Sequence, residues 1–151
     1  MNFRRDIMIY LFSEIFDKVK LAPNDAERVR ILREYTSPGL KEFLNYAFNP
    51  ATVFEVEVPK YKPSVDPAGL NLAYLEQEVK KLYVFIKNHP SRVGTMTPRK
   101  AQQNLHTLLA CLHKDEAFLL ESVIRKTLSV PHLTAALVKQ AYPDMPWEVK
   151  A

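Results

Sequence analysis

Glycine and cysteine are nearly missing from this chain. Three glycines, Gly39, Gly69 and Gly94, in 151 residues are too few and too scattered for a glycine-rich loop that cradles a nucleotide phosphate. The one cysteine, Cys111, excludes an internal disulfide and a multi-cysteine zinc cage. It lies in the apolar run 108–112 and reads as a small hydrophobe. The histidines, His89, His106, His113 and His132, show no zinc-ligand spacing, so no metal or cofactor is expected. A membrane span needs roughly 20 apolar residues, and the first apolar run, 7–12, is cut short by Ser13-Glu14 and then Asp17-Lys18. No small-residue cleavage site follows it. The chain is therefore expected to carry no signal peptide, to avoid membranes and to be cytoplasmic.

What is present is ordinary globular composition, 47% hydrophobic and 25% charged residues, at a length that favours one domain. The charge is uneven. Residues 1–58 hold 8 Lys and Arg against 9 Asp and Glu, and residues 59–151 hold 13 against 8. A basic second half fits an anionic partner, because its long-range potential concentrates one at the surface.

Apolar spacing and capping signals predict an all-α domain of about seven helices over residues 1–143, followed by a tail at 144–151 with Trp147 as its aromatic anchor. The first helix is expected at 3–19, with an apolar belt wide enough to pack on more than one side. The second starts at Asn24, and Glu27 completes a capping-box pattern. The third starts at Ser37-Pro38, a serine cap with proline at the first helical position, and ends at Asn49-Pro50. Residues 52–58 alternate and favour β-branched side chains, which predicts an extended arm or a very short pairing. Pro59, Pro63 and Pro67 continue it as a stiff crossing that exposes Lys60, Tyr61 and Lys62. A long helix is expected at 71–87 on Leu72, Leu75, Val79, Leu82 and Ile86. Another follows at 98–112 behind Thr97-Pro98, a further one from Lys114 through Ile124, and the last from Thr134 to Tyr142-Pro143.

No catalytic constellation is visible. Glu55 and Glu57 share one strand face and read as solvated acids, and Cys111 and His113 fall on opposite helix sides, so no enzyme is expected. The basic and hydroxyl residues at helix starts are more informative, since free N–H groups and the positive dipole end suit a phosphate. Thr97 with Arg99 and Lys100, His113 with Lys114, and Thr134 with His132 form such groups.

Taken in order, these pieces resemble the N-terminal DNA-binding domain of ATP-dependent DNA ligases, especially those of T-even-type bacteriophages, over roughly 12–147. Ile15-Phe16, Ala26 through Leu32, and Leu40 through Leu44 resemble the first helices of that family. Ala47-Phe48-Asn49-Pro50 through Val56 resembles its aromatic extended segment. His113-Lys114-Asp115-Glu116 through Lys126 is similar to the helix before a short turn. His132-Leu133-Thr134 takes the place of a Gly-x-Ser/Thr element, and Tyr142-Pro143 that of a Trp-Pro. His132 departs from the glycine that lets the family's backbone approach DNA. No Lys-x-Asp-Gly adenylation motif occurs.

The resemblance implies a stand-alone, non-catalytic and phage-encoded DNA-binding protein. It would grip sugar-phosphate backbone with little sequence preference, in replication, repair or protection of DNA. The DNA-binding residues it implies, together with the charge pattern, are Lys60, Lys62, Arg99, Lys100, His113, Lys114, Arg125, Lys126, Thr134 and Lys139. The competing expectation is a helical interaction module that has lost DNA and binds a host or phage protein. That reading predicts an exposed apolar patch near Trp147 or on the first helix.

Overall fold

Capping side chains start the helices they are assigned to, in a computed structural model that describes residues 10–67, 70–87, 89 and 97–147. Asn24 Oδ1 accepts the Glu27 N–H at 2.9 Å and opens α1's neighbour α2, with α1 at Phe12–Leu21 and α2 at Asp25–Glu34. Ser37 Oγ accepts the Leu40 N–H at 3.0 Å ahead of α3 (Pro38–Phe48). Thr97 and Thr134 do the same for the last long helix pair's outer members, α5 (Pro98–Cys111) and α7 (Ala135–Ala141). Between them lie α4 (Leu75–Glu78), a 3-10 segment (Val79–Phe85) and α6 (Lys114–Ile124). The all-α class stands, with seven α-helices among the described residues.

Three local expectations need correcting. Among the described residues the first helix begins at Phe12, because Leu11 is extended, with ψ 147°. Expected helical residues 3–9 lie outside the described residues, as do tail residues 148–151. The capping box at α2 is only half made, since the Glu27 carboxylate pairs with Arg30 at 2.9 Å instead of reaching back. On the same helix Arg28 is buried, donating to Asp25 at 2.5 Å and to the Ala22 carbonyl at 3.0 Å.

The largest difference is the helix expected at 71–87. Only Leu75–Glu78 is α-helical, and the chain then tightens into the 3-10 segment. A 3-10 turn eclipses side chains three apart, which lines up Val79, Leu82 and Phe85, all buried. Ile86 then leaves the helix, at ψ 128°, to form a single antiparallel bridge with Phe54 of the arm. Glu55 N–H donates to the Phe85 carbonyl at 2.6 Å, and Lys87 N–H to that of Val53 at 2.8 Å. Leu72, expected inside, is exposed.

Buried side chains from all seven helices form one core. Within it α1 packs on α2, α2 on α7, and α3 on α4 and the 3-10 segment, while α6 touches α1, α3 and α5. The central helix α6 buries Glu116, Ala117, Leu119, Leu120, Ser122, Val123 and Ile124. The tail is held by two side chains, Met145 and Trp147, both buried, and Trp147 Nε1–H donates to the Ala135 carbonyl at 3.2 Å. No described helix is long and apolar enough to cross a membrane.

Glu116 is a carboxylate with 1% exposure. Its Oε2 accepts the Phe12 N–H at 2.9 Å and its Oε1 the Leu75 N–H at 3.1 Å. These are the first residues of α1 and α4, whose N–H groups have no partner within their helices. Burial pushes the Glu116 carboxyl above its ordinary value of 4.5, the two N–H donors oppose that shift, and Glu14 and Glu76 add to it.

Glu116→Leu leaves two buried donors unpaired, at about 1–3 kcal/mol each. Glu116→Gln keeps one acceptor and loses less, so urea midpoints should rank wild type above Gln above Leu. A carboxyl raised on folding binds its proton more tightly when folded. Its contribution to stability therefore falls as pH rises from 4.5 through the folded value, and is constant above it. Both variants should lack that slope in urea titrations across the acid range.

Candidate nucleic-acid interface

Helix α5 contains no Asp or Glu in its 14 residues. Its inner side buries Ala101, Leu105 and Leu109, and its outer side presents Arg99, Lys100, Gln103, His106 and Thr107 to solvent. Thr97 Oγ1 accepts the Lys100 N–H at 3.2 Å, which sets the first turn. Pro59 of the arm closes a shallow open cleft of about 410 Å³ along Arg99, Gln102, Gln103, His106 and Thr107. Every side chain of α5 that lines this cleft can donate a hydrogen bond, and none carries negative charge.

Two residues on, the arm crosses α6. Tyr61, expected to be exposed, is half-buried instead, and its hydroxyl donates to Glu121 Oε2 at 2.5 Å. Burial first and that carboxylate second raise the phenol well above its usual range. Glu121 also pairs with Arg125 at 3.3 Å. Pro59 and Tyr61 therefore face the helices, while Lys60 and Lys62 are exposed, as an extended chain's alternation requires. Successive Cα atoms are about 3.8 Å apart, so the arm strings Arg99, Lys60, Lys62 and Arg125 along one short path, with Lys100 beside Arg99. Glu57, exposed two residues before Pro59, bounds this strip on its acidic side.

The other candidates are not brought to the strip. His113 is buried and caps α6, its Nδ1 accepting the Asp115 N–H at 3.1 Å. Lys126 donates from Nζ to the carbonyls of Tyr46, at 2.5 Å, and Asn49, at 3.1 Å. It thereby closes the C-terminal end of α3, where a cation also meets the negative dipole end. Loss of water around it lowers its pKa. Lys139 donates to the Met145 carbonyl and fastens the tail. The fold uses each of these three in an internal hydrogen bond.

Thr134 Oγ1 accepts the Leu137 N–H at 3.1 Å, as the cap of a helix packed on α2. His132 next to it has φ 69° and Lys126 has φ 57°. Both lie in the left-handed region that favours glycine. Lys114 is exposed at the start of α6, the opposite end from Arg125.

Sequence reasoning missed Gln102, Gln103, His106 and Thr107. The signal for them was in the charge pattern. Between Glu78 and Asp115 the chain holds seven Lys and Arg and no acidic residue. Among the described residues no cluster of His, Cys, Asp or Glu could hold a metal ion.

A protein family described as "Family of unknown function (DUF6433)" matches residues 15–130. No curated protein and no solved structure matches the chain.

Three sets of substitutions separate supporting, free and strained residues. Lys126→Met should lower the urea-unfolding free energy by about 1–3 kcal/mol, since two carbonyls lose a charged donor. Arg99→Ala and Lys100→Ala should stay within about 0.5 kcal/mol of wild type. His132→Gly should raise stability by about 1 kcal/mol by removing left-handed strain.

Proposed function

The chain belongs to this family of unknown function, and from the geometry of the strip we propose that it is a non-catalytic nucleic-acid-binding protein that grips the sugar-phosphate backbone of DNA. The observation that carries the reading is the acid-free surface of α5 joined to the arm, where Arg99, Lys100, Lys60 and Lys62 stand exposed. None of these four has an acid within ion-pair distance among the described residues. Lysine and arginine set this way neutralise phosphates, and Gln102, Gln103 and Thr107 supply neutral donors to the same oxygens. Contacts of that kind position a protein on DNA without reading its bases, so sequence preference is small.

The resemblance to ligase DNA-binding domains supports the reading and extends it to a phage-encoded protein acting in DNA replication, repair or protection in the cytoplasm of its host. The left-handed φ of His132 is a conformation that favours glycine, the residue that stands there in that family. Binding a host or phage protein instead is the competing reading. Trp147, near which it expects an apolar patch, is 6% exposed. Among the described residues of α1, Phe12, Ile15, Phe16 and Val19 are buried and Leu21 is exposed.

Binding to a short duplex should weaken steeply with salt, because each neutralised phosphate releases counterions. Replacing Lys60, Lys62, Arg99 and Lys100 together by Ala should reduce the slope of log affinity against log salt by about 3–4, at about 0.9 per lost contact. Scrambling the duplex sequence should change little. A flat salt response in the wild type, or an unchanged slope in the quadruple variant, overturns the proposal.

A further inference from the structure

Helix α6 is buried around most of its circumference, and the open stripe that remains carries a phenylalanine. Phe118 is 66% exposed, on a helix whose other large apolar side chains are nearly all inside. At 3.6 residues per turn, Lys114, Phe118 and Arg125 fall within about 40° of one another. The ring thus stands about 6 Å along the axis from one cation and about 10 Å from the other. Lys114 and Arg125 are both exposed.

Two acids adjoin the ring: Asp115, beside the stripe, and Glu121, which by the same step lies on it between Phe118 and Arg125. Asp115 lies about 100° around the helix from Lys114 and faces His113 at 3.8 Å. Glu121 is engaged by the Tyr61 hydroxyl and by Arg125. Tyr61 brings Lys62 of the arm to the same place. The second aromatic of the strip, Tyr61, is half-buried with its hydroxyl bonded, so Phe118 is the ring there with an open face.

An exposed ring set among cations is the arrangement that takes unpaired bases, which stack on the ring while the backbone follows the positive charges. We infer that Phe118 is a stacking platform for an unpaired nucleobase, so that the protein prefers single-stranded or gapped DNA over intact duplex. The inference rests on the backbone-binding reading above and adds to it a contact with bases. In an intact duplex the base faces are covered by their neighbours, and the ring has nothing to stack on.

The test uses three probes of equal phosphate number: a mixed-sequence single strand, an abasic strand and an intact duplex. The wild type should bind the single strand tighter than the other two. Phe118→Ala should weaken single-strand binding about tenfold and leave the abasic strand and the duplex unchanged. Phe118→Tyr should keep the preference. Trp147 is the sequence's one tryptophan and is buried, so Phe118→Trp adds a distinct fluorophore. Its emission should be quenched by the single strand and not by the abasic strand.

Equal wild-type affinity for all three probes, or an equal loss on all three in Phe118→Ala, overturns the inference and leaves backbone binding standing. No binding of any probe overturns the backbone reading itself. Self-association in sedimentation that Phe118→Ala abolishes assigns the ring to a second copy of the chain, and overturns the inference too.

Discussion

One buried carboxylate holds three distant stretches of this chain in register. Glu116 receives the first free N–H of α1 and of α4, so positions 12, 75 and 116 meet at one point. A helix start buried without acceptors is strongly unfavourable, and here two of them share a single side chain. The carboxylate is almost fully buried and no cation among the described residues pairs with it, so its two N–H donors carry much of its stabilisation. Burial opposes the charge while the helix starts favour it. The balance leaves the group more readily protonated than a solvated glutamate. With those three points joined, α6 lies in the centre of the core, and the arm and α5 are left on its outer side.

Much of the basic character of the chain goes into that framework. Lys126 closes α3, Lys139 fastens the tail, and Arg33 donates to the Gln140 and Ala141 carbonyls at the end of α7, each at 3.1 Å. Helix ends present carbonyls without partners, and a long cationic side chain from a neighbouring element satisfies them well. Net charge therefore overstates the surface free to meet an anion. What remains is concentrated where the arm crosses α5, which carries no acid, and α6, where Glu121 is taken up by Tyr61 and Arg125.

The arm connects fold to function. Its single bridge to Ile86 and the bond from Tyr61 to Glu121 fix it at two places, and its prolines limit how far it bends between them. Lys60 and Lys62 are thus presented by a braced segment. A ligand meeting them pays little ordering cost, and finds the donors of α5 on one side and the open stripe of α6 on the other.

The helices, their caps and the extended arm were legible from local signals, because a hydroxyl before proline or an alternating β-branched run acts within a few residues. The 3-10 segment was not, since Val79, Leu82 and Phe85 fit that spacing while Val79, Leu82 and Ile86 fit an α-helix equally well. Only the partner at Phe54 chose between them. The interface was half legible. Charge and resemblance pointed to Lys60, Lys62, Arg99 and Lys100, and the acid-free run from Val79 to Lys114 marked the helix beside them. That His113 and Lys126 serve helix ends, that Lys139 fastens the tail, and that Phe118 faces outward, depended on which elements came to lie beside them. A lysine near a carbonyl and a lysine near water look alike along the chain, and the acceptors that distinguish them come from stretches up to 80 residues away.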